Sequence, residues 1–217
     1  MKVKVCGLTR PEDALLAASL GATHIGLNFH PPSPRYVNIE RALAVAEAVH
    51  ALAKPPVLVG VFVNASTQAI RETMKDIGLH LAQLHGDESP QVLHALGARA
   101  FKAYRLGHTS LPASLPDLCL LDAYVEGKYG GGGQIADWET AAAVAQSTRV
   151  LLAGGLTADN VEAAIKRVYP WGVDVASGIE SVPGIKDANK MRAFIANALT
   201  AAEQNAVQQQ QRIMTKR

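Results

Sequence analysis

The chain has 217 residues, of which 48% are hydrophobic and 18% charged, a composition typical of a globular protein with one sizeable core. Its formal net charge is +2, but Arg212, Lys216 and Arg217 supply three positive charges, which leaves −1 for the rest of the chain and indicates no nucleic-acid partner. No apolar run approaches the roughly 20 residues of a membrane span. Two cysteines without a hydrophobic leader predict a cytoplasmic protein.

Eight short apolar runs alternate with longer amphipathic segments. The runs are apolar at most positions, as strands covered on both faces should be. Strands are therefore predicted at residues 2–6, 24–29, 56–62, 81–84, 100–104, 118–122, 149–153 and 173–177. Helices are predicted at residues 11–21, 38–52, 66–78, 89–97, 137–146, 157–168 and 187–199. Pro11 suits a first helical turn, and Thr157 and Asp187 are predicted N-caps.

Eight strand–helix units predict an α/β protein: a single (β/α)8 TIM barrel with parallel strands over residues 1–203. A doubly wound open sheet is the alternative. The fifth unit is the weakest, because residues 107–117 leave room for little more than one helical turn. Residues 204–217 are polar and rich in glutamine, and they are predicted to form a frayed tail outside the barrel.

Chemically active side chains follow several of the predicted strands. In barrels of this kind, catalytic residues lie at the carboxyl ends of the strands. These ends carry a thiol at Cys6, a guanidinium at Arg35, an amide and an imidazole at Gln83 and His85, and a carboxylate at Asp122. The set indicates a catalytic site, and the alternatives are packing for the thiol, a local hydrogen bond for the carboxylate and a surface position for the guanidinium.

Glycine turns follow the last two strands. Gly154 and Gly155 precede a predicted helix, and Ser177 and Gly178 end the eighth strand, so bare backbone N–H groups can converge on an anion there. A phosphate monoester is the predicted ligand, although glycines also simply turn a chain. The glycine run at residues 130–133 could close over the same ligand or serve as a linker.

An ordered set of motifs runs through residues 2 to about 200: VKVCGLTR, SPR, VGVFVN, QLHGDE, LLD, ADW, LAGGLTADNV and DVASGIESVPGIKD. The set resembles the phosphoribosylanthranilate isomerase family of tryptophan biosynthesis. The resemblance implies an enzyme that converts the small phosphorylated substrate N-(5-phosphoribosyl)anthranilate to 1-(2-carboxyphenylamino)-1-deoxyribulose 5-phosphate by an acid–base Amadori rearrangement. The histidines show no metal-ligand pattern, so neither a metal nor a cofactor is predicted. Monomer and homodimer both remain open.

The resemblance also implies roles for single residues. Cys6 is the implied base, Asp122 the implied acid, and Arg35 the ligand of the anthranilate carboxylate. Gln83 and His85 are predicted to orient the anthranilate or the ribose. The predicted phosphate ligands are Gly132, Gly154, Gly155, Ser177 and Gly178. Because a free thiol has a pKa of about 8.5, the base requires a shifted equilibrium, for which Lys4 and helix-end dipoles are the candidates.

Three positions depart from the family pattern, since Gly132, Ala136 and Ala176 replace a threonine, a phenylalanine and a serine. Two of these changes remove hydroxyl groups near the predicted phosphate. Indole-glycerol-phosphate synthase, sugar-phosphate epimerases and a non-catalytic phosphate-binding barrel are competing interpretations. The first relies on lysines and glutamates at strand ends and the second on metal-binding histidines. Lys102 is the only internal strand lysine outside the first predicted strand, and this disfavours both enzymes. The thiol, the arginine and the carboxylate argue against a non-catalytic barrel.

Overall fold

Eight parallel strands close into a barrel in the computed structural model, which describes residues 1–106, 111–122 and 137–215. Each strand pairs with the next one along the chain, and the eighth pairs with the first. The strands are β1 (Lys2–Cys6), β2 (His24–Asn28), β3 (Val57–Phe62), β4 (Leu81–Leu84), β5 (Ala100–Arg105), β6 (Leu118–Asp122), β7 (Arg149–Ala153) and β8 (Gly172–Val175). The predicted (β/α)8 barrel is confirmed, and the open-sheet alternative is wrong because β1 and β8 are hydrogen-bonded to each other.

Seven helices are present among the described residues, and they surround the strands. They are α1 (Pro11–Ser19), α2 (Ile39–His50), α3 (Thr67–Ile77), α4 (Pro90–Leu96), α5 (Trp138–Ala145), α6 (Val161–Val168) and α7 (Ala188–Thr215). A short antiparallel hairpin, β9 (Glu180–Val182) and β10 (Ile185–Lys186), lies between β8 and α7. The described residues between β5 and β6 contain no helix, as the short fifth unit predicted. None of the helices described is long and apolar enough to cross a membrane.

The helix starts agree with the predictions at two of the three positions that were singled out. Pro11 is the first residue of α1, and Oδ1 of Asp187 accepts hydrogen bonds of 2.9 Å from the backbone N–H groups of Asn189 and Lys190 at the start of α7. The prediction for Thr157 is wrong, because α6 begins at Val161. Oδ1 of Asn160 accepts a 2.8 Å hydrogen bond from the Thr157 N–H and closes a turn ahead of the helix.

The C-terminal helix continues past the predicted end of the barrel domain. There is no break at residue 203, and α7 extends to Thr215. Asn205 is only 6% exposed, and its Nδ2 donates a 3.2 Å hydrogen bond to the carbonyl oxygen of Ile165 in α6. Alanine, glutamine and glutamate are good helix formers, so this polar composition propagates an existing helix where it was predicted to fray.

Two apolar cores fill the molecule, one on each side of the barrel wall. The outer core lies between the strands and the helices and includes Val3, Val5 and Cys119. The inner core lies inside the barrel and contains Val59, Phe101, Ala103, Leu120, Leu151 and Ala153. Because alternate residues of a strand face opposite sides, the inner face of β1 presents Lys4 and Cys6 above this core. The carboxyl ends of the strands are therefore the polar end of the barrel interior.

The amino-terminal end of the barrel is closed by Trp171 and a set of basic residues. Nζ of Lys2 lies 6.0 Å and the guanidinium carbon of Arg149 lies 5.8 Å from the centre of the indole ring. The imidazole of His24 meets the same ring edge-on, with 5.8 Å between ring centres. The face of an indole ring attracts cations, which accounts for the positions of Lys2 and Arg149.

His24 makes the stability of the fold depend on pH. Burial, with smaller contributions from the positive charges of Lys4 and Lys2, lowers its pKa to about 4 from 6.5. Below pH 6.5 the unfolded chain takes up a proton that the folded chain still excludes, so this stability is present above pH 6.5 and is lost as the pH falls to about 4. The parent protein loses unfolding free energy when the pH falls from 7 to 4.5. In His24→Gln we expect this loss to be smaller by about 2 to 3 kcal/mol, as measured by urea unfolding at the two pH values. Equal losses in variant and parent would contradict this assignment.

Candidate active site

One cavity of about 400 Å³ opens at the carboxyl ends of the strands and gathers the residues singled out in the sequence. Nine predicted site residues line it: Cys6, Arg35, Gln83, His85, Asp122, Gly154, Gly155, Ser177 and Gly178. Gly132, the tenth, lies outside the described residues, as does Ala136. The third departure from the family pattern, Ala176, lines the cavity. Asn28 and Asp174 also line it and were not predicted.

Cys6 is the last residue of β1 and is 9% exposed at the cavity wall. Its partner across the strand pair is Gly26 of β2. A Cβ atom at position 26 would lie 2.8 Å from Sγ of Cys6 and 3.1 Å from Nζ of Lys4. Real Cβ atoms essentially never come as close to another atom as 2.8 Å, and 3.1 Å is tighter than most of their contacts. The absence of a side chain at position 26 therefore provides space for the thiol and relieves crowding at the ammonium group.

Lys4 lies two residues before the thiol on the same inner face of the barrel. Its ammonium group is fully buried and pairs with Oδ1 of Asp174 at 2.8 Å. Burial by itself would lower the pKa of Lys4, but the charges of Asp174 and Cys6 outweigh it and raise that pKa above its ordinary value. A permanent cation therefore lies next to Cys6, in the position predicted for Lys4.

The other cysteine lies in an apolar environment. Cys119 is fully buried in the outer core between strands and helices. Burial raises the pKa of its thiol to about 12, so it remains protonated at neutral pH. Such a thiol is a poor nucleophile and acts as a small apolar side chain.

Arg35 is held by a carboxylate that the sequence analysis did not identify. Its Nε donates to Oε1 of Glu180 at 2.8 Å and its Nη2 donates to Oε2 at 2.7 Å. Its stem crosses Gly7, where an added Cβ would lie 2.5 Å from Cδ of the arginine. Gly7 also has a φ of 70°, which favours glycine. The surface interpretation of Arg35 is wrong, because its side chain is only 22% exposed and reaches the cavity.

Gln83 and His85 form a coupled pair at the end of β4. Nε2 of Gln83 donates to Nδ1 of His85 at 2.9 Å, which leaves the imidazole proton on Nε2. Burial lowers the pKa of His85, while the charge of Asp122 raises it by less, so the ring is neutral at pH 7. Oε1 of Gln83 is buried and has no hydrogen-bond partner within the described part of the chain. Since Gln83 lines the cavity, this oxygen is an acceptor that a ligand can satisfy.

The two glycine turns meet at the rim of the cavity. Gly154 and Gly155 have φ angles of 96° and 65°, a left-handed conformation that glycine adopts readily. A Cβ at Gly178 would lie 1.9 Å from the carbonyl oxygen of Leu156. The loops after β7 and β8 therefore approach each other through bare backbone. This arrangement gives an anion access to their N–H groups.

Comparison with known proteins identifies the family. The family model of N-(5'-phosphoribosyl)anthranilate (PRA) isomerase matches residues 3–197. The chain belongs to the PRA isomerase family. A curated N-(5'-phosphoribosyl)anthranilate isomerase of Trichlorobacter lovleyi is 43% identical over 208 residues, which cover 93% of this chain and 99% of that protein.

Solved structures agree with this assignment to the PRA isomerases. The crystal structure of phosphoribosyl anthranilate isomerase from Thermus thermophilus has a TM-score of 0.79 and 38% identity, with 92% of this chain and 99% of that chain covered. Another phosphoribosyl anthranilate isomerase was crystallised in complex with reduced 1-(o-carboxyphenylamino)-1-deoxyribulose 5-phosphate. It has a TM-score of 0.77 and 30% identity, over 92% of this chain and 99% of that chain.

Of the two charged residues that the sequence analysis of this PRA isomerase missed, one left a signal in the sequence and the other did not. Lys4 was considered, but its partner Asp174 was not, although an acidic residue inside the apolar run VDV is an unusual strand residue. A charged side chain in a strand covered on both faces is buried and needs a partner. Glu180 gave no comparable signal, because it precedes a turn-rich segment in which an exposed glutamate is ordinary.

Gly26 offers a test of this arrangement. Gly26→Ala should lower kcat/KM by about tenfold or more, because the added methyl displaces the thiol, the ammonium group or both. The control is Gly60→Ala in β3, whose added Cβ would meet Leu79 and Phe62 in the outer core at 2.7 Å. That variant should lose stability but keep the turnover of the folded protein. Equal losses of turnover in the two variants would show general damage to the barrel.

Proposed function

We propose that the protein isomerises N-(5'-phosphoribosyl)anthranilate to 1-(2-carboxyphenylamino)-1-deoxyribulose 5-phosphate with Cys6 as the base and Asp122 as the acid. The reaction is an Amadori rearrangement and a step of tryptophan biosynthesis. The observation that supports these roles is that the thiol and the carboxylate line one cavity together with both glycine turns. That cavity lies in a member of the PRA isomerase family.

The rearrangement opens the sugar ring and moves protons, and it exchanges no electrons with another reagent. Protonation of the ring oxygen by Asp122 breaks its bond to C1 and opens the aminofuranose to an iminium ion. Removal of the proton on C2 by the Cys6 thiolate then gives the enolamine, which tautomerises to the ketone. Both groups return to their starting states when the protons are exchanged with water, so the cycle needs no oxidant, reductant or Lewis acid.

The two residues reach the cavity from different strands. Cys6 ends β1 and Asp122 ends β6, and these strands are three places apart around the ring of eight. A ribose between them presents its ring oxygen to one group and its C2 proton to the other. This separation suits two transfers at different atoms of one substrate.

The charged ends of the substrate fit the remaining groups. The phosphate belongs at the backbone N–H groups of Gly154, Gly155 and Gly178 with the Ser177 hydroxyl, which line the cavity at β7 and β8. Gly132 stays a predicted phosphate ligand outside the described residues. The anthranilate carboxylate belongs at Arg35, on the loop after β2. Gln83 and His85 then contact the ribose or the amine between these ends.

Replacement of the two proton-transfer groups tests the mechanism. Cys6→Ala and Asp122→Asn should each lower kcat by at least about 100-fold on freshly prepared phosphoribosylanthranilate, because each removes a positioned acid or base. Cys119→Ala is the control and should change only stability, since its thiol is buried and protonated. Circular dichroism establishes that each variant is folded. A folded Cys6→Ala protein with near-normal turnover would show that the thiol only fills space.

Lys4 should set the reactivity of the thiol. In a Cys119→Ala background, Lys4→Met should slow alkylation of Cys6 by iodoacetamide at pH 7 by about tenfold, because the thiolate loses a buried cation that hydrogen-bonds to it. Arg35 and Lys186 also act electrostatically on Cys6 and remain in place, so the loss is partial. Lys102→Met removes another buried lysine, which pairs with Glu88 at 2.6 Å, and should leave the alkylation rate unchanged. An unchanged rate in Lys4→Met would remove Lys4 from the mechanism.

We also propose a cytoplasmic enzyme that acts as a monomer or a homodimer. The two cysteines are both free thiols, which suits a reducing compartment. Sedimentation equilibrium of the purified chain distinguishes the two assembly states.

A further inference from the structure

Glu180 lies at the centre of a hydrogen-bonded cluster beside the cavity. It is 7% exposed, and each of its carboxylate oxygens accepts a hydrogen bond from Arg35. Oε1 also accepts a 2.9 Å hydrogen bond from Nζ of Lys186 and a 3.2 Å hydrogen bond from the backbone N–H of Gly184. Four donors from three residues, Arg35, Gly184 and Lys186, therefore fix this carboxylate.

Lys186 connects the cluster to the barrel. Its buried ammonium group donates to the carbonyl oxygens of Cys6 and Ala176 at 2.7 and 3.0 Å as well as to Glu180. An ammonium group has three N–H donors, so all of them are used. The lysine thereby joins the carboxyl ends of β1 and β8 to the hairpin of β9 and β10.

The hairpin itself is held against the loops that carry the site. Oγ1 of Thr9, just after β1, donates a 2.6 Å hydrogen bond to the carbonyl oxygen of Gly184. Gly184 has a φ of 85°, and an added Cβ would lie 3.2 Å from the carbonyl oxygen of Pro34. Besides Arg35, Glu180 is thus held by Gly184 and Lys186 of its own hairpin, and that hairpin is itself tied to Thr9.

Glu180 occupies only one edge of the guanidinium group. A guanidinium carries five N–H donors, and the contacts at Nε and Nη2 use two of them. Within the part of the chain that the structure describes, the edge formed by Nη1 and the second N–H of Nη2 has no partner and can take a further carboxylate, in the fork geometry that arginine provides. The charges favour such a ligand, because Arg35 and Lys186 share the single carboxylate of Glu180 and leave the cluster with one positive charge.

We infer that Glu180 is a positioning residue that turns Arg35 so that its second edge faces the anionic group of the substrate. Lys186 hydrogen-bonds to Glu180 and to the backbone of Cys6. It therefore holds the arginine that binds one end of the substrate and the thiol that acts at the reacting carbon in a fixed relative position. This inference rests on the proposed function, in which the anionic group is the anthranilate carboxylate.

The experiment compares two ligands that differ only in that carboxylate. One is reduced 1-(o-carboxyphenylamino)-1-deoxyribulose 5-phosphate, and the other is the same molecule with a phenylamino group in place of the carboxyphenylamino group. Glu180→Gln keeps the shape of the side chain but removes its charge. We expect it to weaken binding of the first ligand by about tenfold or more and that of the second by less than about twofold, as measured by titration calorimetry.

Kinetics and a double-mutant cycle give further readouts. Glu180→Gln should raise KM with a smaller change in kcat, because the contact exists in the ground state. In an Arg35→Met background the same change should have little effect on carboxylate binding, since the group it positions is absent. Glu88→Gln, which alters another buried carboxylate paired with a lysine, should weaken the two ligands equally if it weakens them at all.

Several outcomes would overturn the inference. Equal weakening of both ligands by Glu180→Gln would mean that the residue only maintains the fold, and additive effects with Arg35→Met would mean that it acts elsewhere. If Glu180→Gln does not fold, Glu180→Asp, which withdraws the carboxylate by one methylene group, should show the same selectivity between ligands. Because ligand binding is measured without turnover, the two failures can be distinguished. An inactive parent protein would contradict the proposed function, but the comparison of the two ligands would still test the role of Glu180.

Discussion

The ion pair between Lys4 and Asp174 lies where the barrel closes and next to Cys6. The two residues are direct partners where β1 meets β8, the point at which the barrel closes. Their side chains lie inside the barrel at 2.8 Å. A slip of one residue between these strands would turn one charge toward the outer apolar core, and an unpaired buried charge costs about 3 to 5 kcal/mol. The pair therefore selects the register of the closing strands and, through it, the height of Cys6.

Polar groups above this pair and apolar groups below it divide the barrel interior into two parts. The inner core of Val59, Phe101, Leu120 and their neighbours is ordinary close packing. Above it, the cavity is surrounded by groups whose hydrogen bonds are largely satisfied within the protein, as at Glu180 and Lys186. Such groups need little rearrangement when a charged ligand arrives, which is the condition for strong electrostatic stabilisation of a transition state. The buried oxygen of Gln83 is an exception among the described residues.

The strands could be predicted from the sequence because burial on both faces leaves a local pattern of apolar residues. The bounds of β1, β4, β6 and β7 agree with the prediction, and the others differ by one or two residues. Helix ends were harder to predict, as Thr157 and Asn160 show. Both residue types are common N-caps, but the helix begins after Asn160, whose side chain accepts a hydrogen bond from the Thr157 N–H instead of capping α6. The tail was predicted to fray because composition does not reveal that Asn205 packs on α6.

The site residues could be located because parallel strands deliver their carboxyl ends to one place, so that Cys6, Gln83 and Asp122 meet although they are far apart along the chain. Their partners could not be located in this way. The contact of Arg35 with Glu180 spans 145 residues and depends on a hairpin whose position follows from hydrogen bonds of Lys186 and Thr9. Long-range pairs of this kind leave no periodic trace in a single sequence.

The indole of Trp171, with Lys2, Arg149 and His24 around it, closes one end of the barrel. For the described residues, the opening at the carboxyl ends of the strands is therefore the proposed route for both substrate and product. The product keeps both the phosphate and the carboxylate of the substrate, so it fits the same proposed binding groups for these two anions. The same contacts that capture the substrate thus delay the departure of the product, and product that accumulates in solution competes with new substrate for an empty enzyme.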